Sequence, residues 1–438
     1  MPKKSPIQKQ VKAEGREEFL APKGMRDVLP AEWDAWDRVI AVARKFAETY
    51  DFGRIETPIL EQAELFEKGV GVQTDAIQKE MYVVKTKGGD VLALRPENTA
   101  GVVRAYLEHR MSRTSPLQKL WYMGRMFRHE RPQAGRLRQF TQIGFEILGG
   151  VNDPFYDAQI ILISYRILEE LKVKSLTLKV NSIGCRVCRP TYIKQLQNYY
   201  KNRVKDLCKN CENRLETNPL RLLDCKEEKC VQMKLHAPSL YDKLCSACSL
   251  HLSSVLEYLD QLSISYTLDN FLVRGLDYYS KTVFEIGVDG PGSEVGALFG
   301  GGRYDYLFEM LGARQNPAVG SAVSIERIVE VLRLQGSFPQ QKKEKRVFLV
   351  HVGEMAKKKL LNIAEELRRA GILIGEAIGK DSLKSQMKLA DKQDARLALI
   401  LGQKEIFEES IIIRDLKGSA QETIPLSRMI EEVKKRLK

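Results

Sequence analysis

Residues 121–150, WYMGRMFRHERPQAGRLRQFTQIGFEILGG, constrain what this chain can fold into more than any other stretch. They read as two strands joined by a long, charged, glycine-containing loop. Side chains alternate across a strand. Phe140, Gln142, Gly144 and Glu146 therefore share one face, and Thr141, Ile143, Phe145 and Ile147 take the other. The second face is apolar and packs inward. The first carries an aromatic ring, an amide, a position with no side chain and a carboxylate. That set suits the floor of a small-molecule pocket, with Gly144 leaving room for a ligand. The connecting loop holds Arg125, Arg128, Arg131, Arg136 and Arg138, with Glu130 among them. Guanidinium forks match phosphate oxygens, so a phosphate site is expected beside a site for something small and polar. The plain alternative is a solvated hairpin. The confinement of amide and acid to one strand face speaks against it.

Charge points the same way. The 438 residues carry a formal net charge of +13, which favours polyanionic partners. Together with a phosphate site, that makes RNA an expected partner. Hydrophobic residues at 43% and charged residues at 29% describe a globular chain. No apolar run approaches the roughly 20 residues of a membrane-spanning helix. Residues 1–18, MPKKSPIQKQVKAEGREE, hold no apolar stretch that would make a secretory signal. They read as a basic tail, and the expected compartment is the cytoplasm.

All eight cysteines lie between positions 185 and 248. They fall in sequence as Cys185/Cys188, Cys208/Cys211, Cys225/Cys230 and Cys245/Cys248, three of them C-x-x-C. Two thiolates at that spacing meet on one metal, and two such pairs complete a tetrahedral zinc site. Eight cysteines allow two sites, whose pairing the sequence leaves open. Disulfides and simple buried thiols are the rivals; cytosolic thiols stay reduced.

Around these features the chain alternates legible elements. Residues 33–50 follow helical spacing in Trp33, Trp36, Val39, Ile40, Ala43, Phe46, Ala47 and Tyr50. DFGRIETPIL then runs extended. Residues 83–85 and 91–94 read as hairpin strands around Gly88-Gly89, and residues 99–108 as a helix. RPENT sits at the strand-to-helix turn, where Glu97 and Thr99 can hold an ammonium, Thr99 also being a natural helix cap. RGLDYYSKTVFEI, GALFGGGRYDYLFEML and AVGSAVSIERIVEVL follow the cysteines. The triple glycine Gly300–Gly302 lets backbone lie close to a ligand or strand. Arg327 stands early in a helix, where the dipole favours anions. Residues 335–346 are a polar linker. Beyond it, alternating strands and helices predict a small α/β domain with a largely parallel sheet. Lysines at 357–359 and across 380–392 either meet phosphate or form a solvated face.

The 121–150 stretch resembles motif 2 of class II aminoacyl-tRNA synthetases, and FRHERPQ followed by RQF is similar to the histidyl-tRNA synthetase version. The resemblance runs through nearly the whole chain. Residues 33–60 resemble motif 1, which in the family builds a dimer interface. RGLDYY and GGGRYD resemble the two histidine-specific motifs, and AVGSAVSIERIVEVL resembles motif 3. The implied fold is an α+β catalytic domain on a mixed, mostly antiparallel sheet. A small cysteine-rich insertion and a C-terminal α/β anticodon-binding domain complete it. The expected divisions are a tail at 1–18, catalytic parts at 19–180 and 263–334, the insertion at 181–262, the linker at 335–346 and the anticodon-binding domain at 347–438. Zinc is inferred from the cysteine spacing alone, since many family members lack the set.

The resemblance implies activation of L-histidine by ATP, with Mg²⁺, to histidyl-adenylate, followed by transfer to tRNA(His). Arg128 would hold the α-phosphate and substrate carboxylate, with Arg274 acting at the same phosphate; these two are the expected catalytic residues. Glu130 would read the adenine, Phe140 would stack on it, and Arg327 would clamp the distal phosphates. Glu97, Thr99 and Gln142 would hold the α-ammonium, and Glu146 and Tyr279 the imidazole, with Asn98 and Tyr278 also placed at the histidine site. The residue chemistry agrees, because a carboxylate accepts and a phenol donates, matching both edges of a neutral imidazole. Arg131 and Gln133 would read the extra 5′ guanine of the tRNA. The chain departs from the family pattern at Asn98, where RPEGT is usual, and at Val323-Ser324. Two alternatives are a synthetase-like regulatory subunit of ATP phosphoribosyltransferase and a non-catalytic RNA-binding protein. The presence of RGLDYY and of a C-terminal domain weighs against the first, and the complete histidine and ATP constellations weigh against the second, because binding RNA needs neither.

Overall fold

The computed structural model describes residues 19–71, 74–131, 135–338, 346–377, 379, 382–418 and 420–437. The expected basic tail, Gln133, Lys380 and most of the expected linker lie outside them. The chain divides into two units, Met1–Pro339 and Gln340–Lys438.

In the first unit the helix Trp33–Thr49 buries Trp36, Val39, Ala43 and Ala47 along one stripe, as its spacing requires. Short strands β1 (Gly53–Arg54) and β2 (Leu60–Gln62) follow, then β3 (Tyr82–Lys85) and β4 (Val91–Leu94). Strands β2, β4 and β3 form a small antiparallel sheet. After the helix Thr99–Glu108 comes the long hairpin of β5 (Leu117–Phe127) and β6 (Gln139–Gly149). The helix Pro154–Glu170 leads to β7 (Leu176–Ser182). The cysteine region is helical and ends in the helix Ser246–Gln261. Then come β8 (Thr267–Leu268), β9 (Ser280–Val288), β10 (Phe299–Arg303), β11 (Ala318–Ser324) and the helix Ile325–Leu334.

Strands from both halves interleave in one eight-stranded sheet, ordered β1-β5-β6-β11-β10-β9-β7-β8. It is antiparallel from β5 to β7 and parallel only at its two edges. Ile143, Phe145 and Ile147 face a core shared with Ile160, Ile161 and Ile163 of the helix Pro154–Glu170. Phe145 is fully buried and meets Phe52 edge-on at 5.5 Å. Each such side chain contributes about 1.5–3 kcal/mol by leaving water. The apolar face therefore fixes which way β6 turns, and so presents Phe140, Gln142 and Glu146 on the other side.

A buried ion network locks the end of β10. Arg303 Nε donates to Asp157 Oδ2 at 3.0 Å, and Arg303 also pairs with Asp305 at 3.2 Å. His251, from the helix Ser246–Gln261, lies 3.3 Å from the same Asp157 carboxylate. Burial opposes the charge on Asp157, but Arg303 and His251 overcome it and hold the carboxyl well below its usual range.

The second unit contains β12 (Val347–His351), the helix Glu354–Arg369, β13 (Ile374–Glu376), the helix Leu383–Lys392, β14 (Leu397–Leu401), β15 (Ser410–Asp415) and β16 (Gln421–Pro425). The strand order is β13-β12-β14-β15-β16. Only β13, β12 and β14 are parallel; β15 and β16 run antiparallel. This corrects the expected largely parallel sheet. Leu401 and Ser410 are too close in sequence for a parallel crossover, which takes roughly a dozen residues or more, and β16 closes a simple hairpin. Lys358, Lys359, Lys384, Lys388 and Lys392 are exposed, which suits a solvated face and a phosphate-facing one equally. No helix among the described residues is long and apolar enough to cross a membrane.

Candidate active site

A cleft of about 890 Å³, including its mouth, opens over the polar face of the eight-stranded sheet. Glu97, Thr99, Arg128, Glu130, Phe140, Gln142, Arg274, Tyr278, Tyr279 and Arg327 all line it. These residues come from four distant parts of the sequence.

One end is built for an anion. Arg128 is oriented by its Nε donating to Pro96 O at 2.7 Å, and its guanidinium lies over the Phe140 ring at 5.4 Å. Its terminal nitrogens find no carboxylate among the described residues. Arg327 donates from Nε to Gly135 O and from Nη1 to Ala297 O, each at 2.7 Å. Burial, and the nearby Arg128, Arg136 and Arg274, depress the Arg327 guanidinium. Cations held this close together favour a multiply charged anion between them. Arg274 is paired with Glu285, and its Nε is buried without a partner among the described residues.

The other end is a buried polar cradle. Glu97 accepts from the backbone N–H groups of Thr99 (2.7 Å) and Ala100 (2.9 Å) at the start of the helix Thr99–Glu108. Tyr278 OH donates to it at 3.4 Å. Gln142 Oε1 accepts from Tyr122 OH at 3.2 Å. Burial raises the Tyr279 phenol, against the pull of Arg274, so it stands as a neutral donor.

Glu146 occupies a position the strand pattern did not specify. It is 1% exposed and does not itself line the cleft. Thr99 Oγ1 donates to its Oε1 at 2.8 Å and Tyr304 OH to its Oε2 at 2.5 Å. Both hydroxyl-bearing residues do line the cleft, so the carboxylate sits one step behind the wall. Burial pushes its pKa up to about 8, opposed by those two hydrogen bonds and helped by the charge of Glu97.

Glycines in neighbouring strands make slots for these side chains. A Cβ on Gly320 would overlap the Glu146 carboxylate, and one on Gly300 the Arg274 guanidinium. A Cβ on Gly144 would overlap the Tyr122 ring. The space at Gly144, expected to admit a ligand, is therefore filled by Tyr122, its register partner on β5. Asn98, expected at the histidine site, is not among the residues lining the cleft. It is buried outside the cleft, where its Oδ1 accepts from Thr57 Oγ1 at 2.6 Å and Arg95 Nη1 at 3.3 Å. Arg131 is exposed on the loop, away from the cleft lining.

Tyr122, Glu285 and Tyr304 escaped the sequence analysis. Tyr304 stands two positions after the triple glycine, within a quoted motif, so a strand reading of GGGRY would have found it. Ser324, a departure from the family pattern, lines the cleft and donates to Glu326 Oε2 at 2.8 Å. Glu326 in turn accepts from Thr141 N at 2.7 Å, tying the start of the helix Ile325–Leu334 to β6.

The cysteines resolve into two quartets: Cys185, Cys188, Cys245 and Cys248, and Cys208, Cys211, Cys225 and Cys230. Within each quartet the sulfurs lie within 4.8 Å of one another. The Sγ atoms of Cys185 and Cys188, Cys185 and Cys245, Cys188 and Cys248, and Cys208 and Cys225 are 3.8 Å apart. Four thiolates at about 2.3 Å from one zinc stand about 3.8 Å from each other. Both quartets fit a tetrahedral metal ion, and every cysteine is free of disulfide bonds.

A mostly antiparallel sheet of this order, bearing an arginine over an aromatic ring beside an acidic cradle, is the catalytic fold of class II aminoacyl-tRNA synthetases. The family model described as histidyl-tRNA synthetase matches residues 24–328, and that described as anticodon binding domain matches residues 346–436. A histidine–tRNA ligase of Dehalococcoides mccartyi is 43% identical over 96% of this chain and 100% of its own length. One from Desulforamulus reducens is 41% identical over 95% of this chain and 99% of its own. The crystal structure of apo S. aureus histidyl-tRNA synthetase matches with a TM-score of 0.77 at 32% identity, covering 95% of this chain and 99% of that one. The chain belongs to the histidyl-tRNA synthetase family.

Proposed function

We infer that the chain is a histidine–tRNA ligase. It activates L-histidine with ATP and transfers the histidyl group to the 3′ end of tRNA(His). In the first step a histidine carboxylate oxygen bonds to the α-phosphorus, and pyrophosphate leaves. In the second, a terminal ribose hydroxyl attacks the histidyl carbonyl, and AMP leaves. One observation carries this assignment. A single cleft joins an arginine-framed anion site to a buried cradle of Glu97, Gln142 and tyrosines, with the Glu146 carboxylate behind its wall.

Arg128 and Arg274 are assigned to the α-phosphate, where negative charge develops and fixed cations stabilise it most. Arg327 takes the distal phosphates, Phe140 stacks on the adenine and Glu130 reads its edge. Mg²⁺ bound with ATP supplies further charge neutralisation. Glu97, Thr99 and Gln142 take the α-ammonium, with Tyr278 holding Glu97. Tyr279 donates to one imidazole nitrogen, and Glu146, acting through Tyr304, answers the other edge. A site that pairs both imidazole nitrogens rejects apolar amino acids by roughly 10⁴-fold or more. No editing step is then required.

The remaining assignments follow the same logic. Arg131 and Gln133 would read the 5′ end of the tRNA, and residues 347–438 its anticodon. The two cysteine quartets are assigned structural Zn²⁺ within an insertion spanning 181–262. Exposed Leu60, Val83, Val84 and Val91 on the small three-stranded sheet support a homodimer. The proposed compartment is the cytoplasm. The test is ATP–pyrophosphate exchange. Exchange that depends on histidine supports the assignment, and exchange indifferent to histidine removes it.

A further inference from the structure

We propose that the two cysteine quartets, when metal-loaded, set the affinity for histidine by bracing the loop that carries Arg274 and Tyr279 from behind. The proposal rests on the histidine assignment above and adds to it a role in the amino-acid site for the cysteine-rich region.

The loop at 272–279 has no regular structure of its own and is held from two sides. On one side Asp277 N donates to Val70 O at 3.0 Å. On the other, three anchors come from the cysteine region or its entry strand. Arg189, the residue after Cys188, donates from Nη2 to Tyr279 O at 2.6 Å and to Gly184 O at 3.0 Å, and from Nε to Ile183 O at 3.0 Å. Asn218 Nδ2, between Cys211 and Cys225, donates to Asp277 Oδ1 at 2.7 Å. Asn181 Nδ2 donates to Leu272 O at 2.8 Å. The carbonyl that Arg189 holds belongs to the tyrosine assigned to the imidazole.

Two of these three anchors, Arg189 and Asn218, take their positions from the cysteine quartets. Cys185 and Cys188 form a tight knuckle, with Cys185 N donating to Cys188 Sγ at 3.2 Å and Val187 N to Cys185 Sγ at 3.4 Å. Gly184 permits the knuckle, because its φ is +68° and a Cβ there would lie 2.7 Å from Cys188 Sγ. Backbone N–H groups aimed at sulfur favour the thiolate that binds metal. Arg189 starts the next helix, so the knuckle sets its direction. Asn218 lies between Cys211 and Cys225 in the second quartet, so that quartet fixes its distance from Asp277. Without a central cation nothing ties the four sulfurs of a quartet together, and both anchors lose their frame.

Pyrophosphate exchange needs no tRNA, which makes the test sharp. Zinc content, histidine KM and ATP KM are measured on the full chain and on five variants. The full chain is expected to hold two zinc ions. Cys188→Ser and Cys225→Ser are each expected to lose one, with histidine KM raised about tenfold, the scale of one lost charge-assisted hydrogen bond, and ATP KM unmoved. Arg189→Met and Asn218→Ala are expected to keep both zinc ions and still raise histidine KM. Arg189→Lys, which retains a donor, is expected to recover part of the loss. These three variants separate the brace from general misfolding. The proposal is overturned if the parent binds no metal. It is also overturned if all the variants match the parent in exchange and lose only transfer to tRNA, which would leave the histidine assignment standing. A parent with no histidine-dependent exchange would remove both together.

Discussion

Replacing Glu146 with glutamine separates the stability of the site from its function, because the two are expected to move in opposite directions. The Glu146 carboxylate is buried, and its pKa is raised from an ordinary 4.5 to about 8. The folded chain therefore binds a proton that the unfolded chain releases between those pH values. Stability falls as pH rises from about 4.5 towards 8 and levels off above it. Glutamine does not titrate, so the variant lacks that slope. Its amide still reaches the hydroxyls of Thr99 and Tyr304, which turn to suit it. At pH 8.5 the variant is expected to be more stable than the parent by on the order of a few kcal/mol, less the cost of weaker hydrogen bonds. Histidine binding should move the other way. At that pH the parent is mostly ionised and presents a charge behind Tyr304, whereas an amide offers only a neutral acceptor. The difference is about 1–2 kcal/mol, or roughly 5- to 30-fold in histidine affinity. ATP affinity should stay unchanged, since Arg128, Phe140 and Arg327 lie at the other end of the cleft. The assays are urea melts at pH 5.5 and 8.5 and equilibrium binding of each ligand. Loss of stability together with an equal loss of both affinities would refute the reasoning, and Glu146 would then be a packing residue alone.

Three further outcomes follow from the geometry. Gly144→Ala should cost about 1–3 kcal/mol in a urea melt, because the buried Tyr122 ring fills the slot; adding Tyr122→Ala should make the two changes non-additive. Asp157→Ala leaves Arg303 buried with half its partners and should lower stability by about 3–5 kcal/mol, with no direct effect on ligand contacts. Arg327→Ala should raise the ATP KM at least tenfold in pyrophosphate exchange and leave the histidine KM near the parent value, since the arginine is assigned a phosphate and touches nothing in the cradle.

The strand alternation in residues 139–149 was legible because an apolar face and a polar face differ in composition, and burial decides between them. It correctly turned Phe140 and Gln142 into the cleft. It could not place Glu146 behind the wall, because that depends on Thr99 and Tyr304 arriving from other parts of the chain. The same limit explains Gly144: an empty position in one strand does not reveal that Tyr122 of the paired strand fills it. The cysteine spacing announced two metal-sized clusters, but their partners depend on how the helices of the insertion pack, which local pattern does not encode. Asn98 carried a chemistry suited to either side of a turn, and Thr57 and Arg95 claimed it. In the second unit, periodicity found most strands, whereas their direction depended on connection length.

The most direct measurement is a crystal structure of the chain with histidine and a non-hydrolysable ATP analogue. The imidazole is expected between Tyr279 and Tyr304 with Glu146 behind, and the α-phosphate between Arg128 and Arg274. Histidine bound outside that cradle, or a nucleotide whose phosphates avoid both arginines, would contradict the account.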